Sequence, residues 1–172
     1  DQLGQARERE RCGLASLALA RENGDNEGIG AAANLVYREH ADMAQRLQGL
    51  NLYLVGMMGA GKSAVGRPLA EALGYRFLDA DDALQQVAGR TIPDIIARDG
   101  EAGFRDLETA VLGQIAGWHS LVVATGGGVV TRPENWGHMR QGVVVWLDAP
   151  ASVLLERLHA DPTPRPLLEA DD

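Results

Sequence analysis

Residues 56–63 read Gly56-Met57-Met58-Gly59-Ala60-Gly61-Lys62-Ser63, the G-x-x-x-x-G-K-[ST] pattern of a phosphate-binding loop. Glycine lets the backbone curl so that successive N–H groups point into one concavity and hold phosphate oxygens. In such a loop the Lys62 ammonium reaches the β- and γ-phosphates, and the Ser63 hydroxyl is a ligand for Mg²⁺. The helix that begins there also directs its positive end at the phosphates.

The flanking residues have the character that this loop requires. Residues 51–55 form a short apolar run typical of a strand, and residues 62–73 carry apolar side chains at helical spacing. A glycine-rich turn that matches the pattern by chance is the alternative. Because a strand precedes the glycines and a helix follows them, the flanks favour a true phosphate-binding loop.

The rest of the chain continues the alternation of strands and helices. Apolar runs predict strands over 52–56, 76–79, 120–125 and 142–147. Helical spacing predicts helices over 62–73, 81–88, 92–98, 101–116, 132–139 and about 151–159. The continuous apolar runs at 121–124 and 143–147 are typical of parallel strands buried on both faces. We therefore expect an α/β fold with a parallel sheet, and ligands at the carboxyl ends of its strands.

Composition limits the classes of function. The chain has 172 residues, a hydrophobic fraction of 45% and a formal net charge of −8, which disfavours general nucleic-acid binding. The single Cys12 cannot form an internal disulfide and fits a reducing compartment, and no apolar run is long enough to span a membrane. The four histidines show no metal-binding spacing, and we interpret the three tryptophans as packing residues.

The first 49 residues carry no catalytic motif. Residues 14–20 are apolar and follow basic residues, which leaves a secretory signal and an ordinary Ala/Leu-rich helix as alternatives. Residues 31–47 predict a second helix with one apolar face. We expect residues 1–49 to be a helical extension that docks on the domain or a partner, and residues 50–172 to be the phosphate-binding domain.

Two acidic residues close the second predicted strand, in the stretch Asp79-Ala80-Asp81. Beside a phosphate-binding loop, one carboxylate can hold the hydration shell of Mg²⁺ while the other accepts a proton from a hydroxyl group. The alternative is that Asp79 or Asp81 caps the following helix, whose amino end favours acids.

An arginine and a glutamate lie three residues apart in a predicted helix. Glu108 can orient Arg105, and the guanidinium can then bind a substrate carboxylate through two hydrogen bonds. The alternative is an ion pair in solvent, which contributes a few tenths of a kcal/mol.

Two further stretches are candidates for ligand contacts. Gly126, Gly127 and Gly128 follow the third strand, where they either let the backbone approach a ligand or form a flexible turn. Arg165 precedes Pro166-Leu167-Leu168 in a polar segment, where it either closes over ATP or is an ordinary surface residue.

Taken in order, these pieces resemble the shikimate kinase family over residues 51 to about 172. The phosphate-binding loop alone is shared by many nucleotide enzymes. The specific feature is its combination with four other motifs, which are Asp79-Ala80-Asp81, Phe104-Arg105-x-x-Glu108, the glycine triplet and Arg165-Pro166-Leu167-Leu168. The resemblance implies a nucleoside-monophosphate-kinase-like fold, a three-layer α/β/α kinase with a parallel sheet. It also implies ATP-dependent phosphorylation of the shikimate 3-hydroxyl in aromatic amino acid biosynthesis, with Mg²⁺ as cofactor. We further expect the protein to be cytoplasmic and monomeric.

The resemblance also implies roles for single residues. Those expected to bind ATP are Gly59, Ala60, Gly61, Lys62, Ser63, Ala64 and the lid residue Arg165. Ser63 would ligate Mg²⁺ directly and Asp79 through water. Asp81 would bind the shikimate hydroxyl and orient or deprotonate it, and Lys62 and Arg165 would also act in catalysis. Arg105 would pair with the shikimate carboxylate, and the glycine triplet would line its pocket.

The chain also departs from the family pattern. The family continues past the lid arginine with a second substrate-binding arginine, a fifth strand and an adenine-contacting loop, which have no counterpart before Asp172. We therefore expect the 172-residue chain to bind nucleotide weakly and to turn over slowly or not at all. The alternatives are another small-molecule kinase, such as a gluconate kinase, and a non-catalytic domain of the same fold.

Overall fold

The structure is a computed structural model that describes residues 43–160 of the chain. The helices predicted before residue 43 and Arg165, the predicted lid residue, lie outside these described residues. Of the second predicted helix, residues 43–47 are described, and they are helical. No helix among residues 43–160 combines the length and the apolar character that crossing a membrane requires.

The described part contains a four-stranded parallel sheet. Its strands are β1 (Leu52–Val55), β2 (Arg76–Asp79), β3 (Leu121–Ala124) and β4 (Val143–Trp146), in the spatial order β2-β3-β1-β4. All four predicted strands are confirmed to within two residues. Leu54 pairs with Ala124 of β3, and Ala124 pairs with Asp79 of β2. This register places the ends of three strands side by side, so the segments that follow them start at one edge of the sheet.

Five helices connect or follow the strands. They are α1 (Lys62–Leu73), α2 (Ala80–Ala88), α3 (Ile92–Ala116), α4 (Pro133–Met139) and α5 (Ala151–Ala160), with a 3-10 turn at Val129–Thr131. Thr91 caps α3 by accepting a hydrogen bond from the Asp94 backbone N–H. The predicted break between 98 and 101 lies at Gly100, whose φ of 74° is left-handed and interrupts α3.

Helices cover both faces of the sheet. On one face, Tyr53 and Val123 pack in a buried cluster with α2 and α3, to which Leu84, Ile95, Phe104, Val111, Leu112 and Ile115 contribute. On the other face, α1 lies so close that a Cβ at Gly66 would be 2.6 Å from the Phe77 ring and 3.1 Å from Leu54. The predicted three-layer α/β/α kinase fold is therefore confirmed.

The fourth strand differs from the prediction that it is buried on both faces. Val143, Val144 and Val145 are half-buried, and Trp146 is 71% exposed, so the interpretation of Trp146 as a packing residue is wrong. The reason is topological, because β4 pairs with β1 and is the last strand of the described sheet. An apolar run indicates that a segment is a hydrophobic strand, but it does not show whether the strand lies at the centre or at the edge of the sheet.

Candidate active site

The phosphate-binding loop connects β1 to α1 at the carboxyl edge of the sheet. Gly59 and Gly61 have φ values of 78° and 91°, which residues with a side chain rarely adopt. The Lys62 ammonium donates hydrogen bonds to the carbonyl oxygens of Gly56 (2.7 Å) and Met57 (3.1 Å). Lys62 therefore lies over the loop, where the pattern of residues 56–63 places the phosphate-binding lysine. Ala60 belongs to the loop and Ala64 to the first turn of α1.

Asp79 joins the second strand to the phosphate-binding loop. Its Oδ2 accepts a 2.8 Å hydrogen bond from the Ser63 hydroxyl, while its Oδ1 accepts one of 3.1 Å from the Asp81 backbone N–H. The second bond makes Asp79 the N-cap of α2. The capping and metal-binding interpretations of this residue are thus compatible, because each uses a different carboxylate oxygen.

The Asp81 carboxylate is partly buried and lies near other carboxylates. Burial is the largest cause that raises the pKa of Asp81 to about 6; the carboxylates of Asp79 and Glu108 also raise it, and the Lys62 ammonium opposes them. Burial likewise lowers the pKa of Lys62, against the opposing influence of Asp81 and Asp79. At neutral pH, a carboxylate with a pKa near 6 is ionised and is a stronger base than an ordinary aspartate.

The Arg105–Glu108 pair is buried rather than solvated. The Arg105 side chain is 14% exposed and that of Glu108 is 5% exposed, and Nη1 of Arg105 donates a 3.0 Å hydrogen bond to Oε2 of Glu108. A second, weaker contact of 3.5 Å joins Nη2 to Glu101. Oε1 of Glu108 is buried and has no hydrogen-bond partner within residues 43–160. The expectation that Glu108 orients Arg105 is therefore supported by their geometry.

The glycine triplet lies beside the side chains of Asp81, Arg105 and Glu108 and beside the phosphate-binding loop. A Cβ at Gly126 would lie 2.5 Å from Oε1 of Glu108 and 3.1 Å from Oδ1 of Asp81, and a Cβ at Gly128 would overlap the Arg105 guanidinium. A Cβ at Gly127 would touch Met58 of the phosphate-binding loop at 3.5 Å. At Gly126 and Gly128 a side chain would displace these neighbours, whereas Gly127 makes an ordinary contact, so the triplet is a close-packed junction and not merely a flexible turn.

One basic residue near the loop was not predicted from the sequence. Nη1 of Arg157, on α5, donates a 3.0 Å hydrogen bond to the Gly59 carbonyl. A Cβ at Gly61 would lie 3.9 Å from the same Nη1, so this exposed guanidinium adds positive charge beside the phosphate-binding loop. Arg157 is 98 positions from Gly59, and no local pattern marks it.

The oxygen atoms of Ser63 and Asp79 suit Mg²⁺. This ion prefers hard oxygen ligands and commonly takes one or two from the protein, with the rest from phosphate and water. A hydroxyl and a carboxylate oxygen 2.8 Å apart at the mouth of a phosphate-binding loop meet that need. Among residues 43–160 there is no cluster of three His, Cys, Asp or Glu side chains that could hold a metal without a nucleotide.

The sequence of the chain is similar to those of known proteins. Residues 58–172 match the family model described as shikimate kinase. The chain is 65% identical over 130 residues to a shikimate kinase of Synechococcus sp. strain RCC307, an alignment that covers 76% of this chain and 67% of the relative. A shikimate kinase of Prochlorococcus marinus strain MIT 9313 is 57% identical, with 76% of this chain and 68% of the relative covered. The chain thus spans about two thirds of the length of the curated relatives it matches.

Solved structures give the same answer. A shikimate kinase from Acinetobacter baumannii, in complex with shikimate, superposes with a TM-score of 0.69 at 44% identity and covers 74% of this chain and 72% of its own. A shikimate kinase from Bacteroides thetaiotaomicron gives a TM-score of 0.67 at 34% identity, with 72% and 70% covered. The family model, the curated relatives and the solved structures therefore agree, and the chain belongs to the shikimate kinase family.

Proposed function

We propose that this chain carries the catalytic site for transfer of the γ-phosphoryl group of ATP to the 3-hydroxyl of shikimate. The observation that carries the proposal is the junction at Gly126–128, where the backbone lies against Met58 of the phosphate-binding loop, Asp81 and Arg105 together. A phosphate donor on the loop and a carboxylated alcohol on Arg105 would then share one cleft. The shikimate in the Acinetobacter baumannii complex supports the choice of acceptor.

Arg105 and the glycines would bind the acceptor. A guanidinium held by Glu108 is planar and pre-oriented, so it suits two hydrogen bonds to the shikimate carboxylate. Because Arg105 is mostly buried, its charge is little screened by water. The backbone of the triplet would form one wall of the same pocket. Binding would thereby direct the ring hydroxyls towards Asp81.

Asp81 would orient the 3-hydroxyl and accept its proton. As the oxygen attacks the γ-phosphorus, the bond from phosphorus to the β,γ-bridging oxygen breaks, and ADP leaves with that electron pair. The raised pKa of Asp81 matches its basicity to this task near neutral pH. Lys62 would neutralise charge that develops on the phosphates, which is the main way in which phosphoryl transfer is catalysed.

Ser63 and Asp79 would hold Mg²⁺. When bound, the ion supplies charge neutralisation between the β- and γ-phosphates. The Ser63 hydroxyl would contact it directly and Oδ2 of Asp79 through water, while Oδ1 of Asp79 keeps α2 capped. Chelation with EDTA is expected to abolish phosphoryl transfer, and added Mg²⁺ to restore it.

The remaining roles rest on the family resemblance. Gly59, Ala60, Gly61 and Ala64 would line the ATP phosphates, and Arg165 would close over them from a segment that the structure does not describe. The boundary between a helical extension at 1–49 and the kinase domain at 50–172, the monomeric state and the cytoplasmic location also remain predictions.

A substrate panel tests the reaction. Purified chain is mixed with Mg²⁺-ATP and with shikimate, gluconate or a nucleoside monophosphate, and ADP release is followed by a coupled assay, with Lys62→Ala as the control. ADP release that requires shikimate and Lys62 is expected, at a slow rate. Release with gluconate but not with shikimate would contradict the proposal.

A binding test covers the case in which turnover is too slow to follow. Shikimate is titrated calorimetrically into the chain with and without Mg²⁺ and a non-hydrolysable ATP analogue. A shared cleft predicts that the analogue changes the affinity for shikimate, since the two ligands meet. Shikimate that does not bind, or that binds with no coupling to nucleotide, would favour the non-catalytic alternative.

A further inference from the structure

The segment that follows the glycine triplet is held by side chains of α4. Nδ2 of Asn135 donates a 2.9 Å hydrogen bond to the Val129 carbonyl, and Nε1 of Trp136 donates one of 3.0 Å to the Val130 carbonyl. Two consecutive side chains thus bind two consecutive carbonyls of the 3-10 turn. Since that turn begins directly after Gly128, its position determines where the triplet lies.

A partly exposed ion pair lies at the far end of the same segment. Arg132, which ends the 3-10 turn and precedes α4, contacts Asp106 through Nη1 and Oδ1 at 2.7 Å. Asp106 is the residue after Arg105 on α3, so the pair joins the triplet segment to the helix that carries the substrate-binding arginine. We call Asp106, Arg132, Asn135 and Trp136 the glycine clamp.

The Asn135 side chain holds the Val129 carbonyl at the cost of one buried oxygen of its own. Its side chain is completely buried, and Oδ1 has no hydrogen-bond partner within the described part of the chain. A buried polar atom without a partner costs free energy, and an apolar side chain of similar volume would avoid that cost. What an apolar side chain lacks is the hydrogen bond to Val129. Residues that break a stability rule in this way are expected near functional sites.

Small movements of the triplet would matter. Gly126 lies against Glu108 and Asp81, and Gly128 against the Arg105 guanidinium, with no room for one added carbon atom. A shift of about 1 Å is enough to spoil a catalytic or binding geometry. The nucleotide phosphates, by contrast, would be bound by the loop at 56–63. The clamp residues make no hydrogen bond to that loop within residues 43–160, and Gly127 approaches its Met58 only at ordinary van der Waals distance.

We propose that the glycine clamp is a set of positioning residues that holds Gly126–128 against Arg105 and Asp81 and thereby sets the affinity for the carboxylated alcohol substrate. The inference rests on the proposed function, because it assigns the triplet to the acceptor pocket. It predicts that loosening the clamp weakens binding of shikimate and leaves nucleotide binding unchanged.

Two variants and a matched control test the clamp by calorimetric titration of the full chain with shikimate and, separately, with Mg²⁺-ADP. Asn135→Leu removes the buried donor and is expected to weaken shikimate binding about tenfold, and Trp136→Phe about threefold, since each loses one hydrogen bond. The affinity for Mg²⁺-ADP is expected to stay within twofold. Trp118→Phe makes the same change at another half-exposed tryptophan and should alter neither affinity.

Substitutions in the Asp106–Arg132 ion pair provide a second test, in which no buried side chain is changed. Asp106→Asn, Arg132→Gln and the double variant are compared. If the pair acts as a unit, each single variant and the double variant weaken shikimate binding by the same factor, about twofold to threefold. Unchanged shikimate affinity in Trp136→Phe and in the ion-pair variants, with wild type binding normally, would overturn the clamp alone. Wild type that binds no shikimate would instead overturn the proposed function.

Discussion

The Ser63 hydroxyl donates a 2.8 Å hydrogen bond to Oδ2 of Asp79, which ties the end of the phosphate-binding loop to the end of β2. The other oxygen of the same carboxylate caps α2. One side chain therefore serves both the proposed metal site and the stability of a helix. Substitutions that keep one role and remove the other can separate the two.

Asp79→Asn is expected to lower the affinity for Mg²⁺ while leaving the free energy of unfolding almost unchanged, because an amide oxygen still accepts the Asp81 N–H. Asp79→Ala removes the cap as well and is expected to cost about 1 kcal/mol of stability. Urea unfolding and the Mg²⁺ dependence of nucleotide binding measure the two effects. An equal loss of stability in both variants would show that the cap is not the stabilising contact.

Asp81→Asn is expected to stabilise the fold while abolishing phosphoryl transfer. The pKa of Asp81 is about 6 in the folded state, compared with the ordinary aspartate value of 3.8. Between pH 3.8 and about pH 6, the unfolded state therefore binds fewer protons than the folded state. Stability therefore falls as pH rises through that window, and the penalty is fully present above it. The variant is expected to gain about 1–3 kcal/mol over wild type at pH 8.

The pH dependence provides the control for this variant. The gain of Asp81→Asn should shrink as pH falls from 6 towards 4, because wild-type Asp81 then becomes protonated in the folded state. Urea unfolding of both proteins across that range measures it. A gain that is constant with pH would mean that the carboxylate charge is not its source.

Arg105→Lys is expected to weaken shikimate binding by about tenfold or more, because an ammonium keeps the charge but cannot form two parallel hydrogen bonds to a carboxylate. Nucleotide affinity should be unaffected, since the Arg105 guanidinium contacts Glu101, Glu108, the Phe104 ring and the glycine triplet, and none of these belongs to the phosphate-binding loop. Separate titrations with shikimate and with nucleotide measure the two affinities. A loss of nucleotide affinity as large as that of shikimate would argue against the assignment of Arg105 to the acceptor pocket.

Gly128→Ala is expected to abolish shikimate binding, because the added methyl group overlaps the Arg105 guanidinium and must displace it. Gly137→Ala, within α4, is the matched control. A Cβ there meets nothing within 4 Å, and alanine in a helix is favoured over glycine by about 0.5–1 kcal/mol. Thermal unfolding and shikimate titration distinguish the two, and normal binding by Gly128→Ala would refute the close approach.

Local patterns in the sequence predicted most of the elements. The helix at 62–73 and the strand at 76–79 have the predicted limits, and Gly100 interrupts α3 where a break was expected. Such features depend on side-chain periodicity and on glycine in the backbone, and both act over a few residues. The motif residues between 56 and 128 were likewise found from local spacing and family resemblance, although their individual roles stay predictions.

The sequence by itself determined the fold family and the order of the chemical groups along the chain, because a phosphate-binding loop between a strand and a helix is a local structure. Only the tertiary structure decided that Arg157 reaches Gly59, that Glu108 is buried with one oxygen unpaired, and that β4 is half-exposed. Each of these depends on which distant segments become neighbours in the folded sheet. Periodicity along one segment carries no information about its neighbours, so burial and long-range contacts follow only from the complete packing.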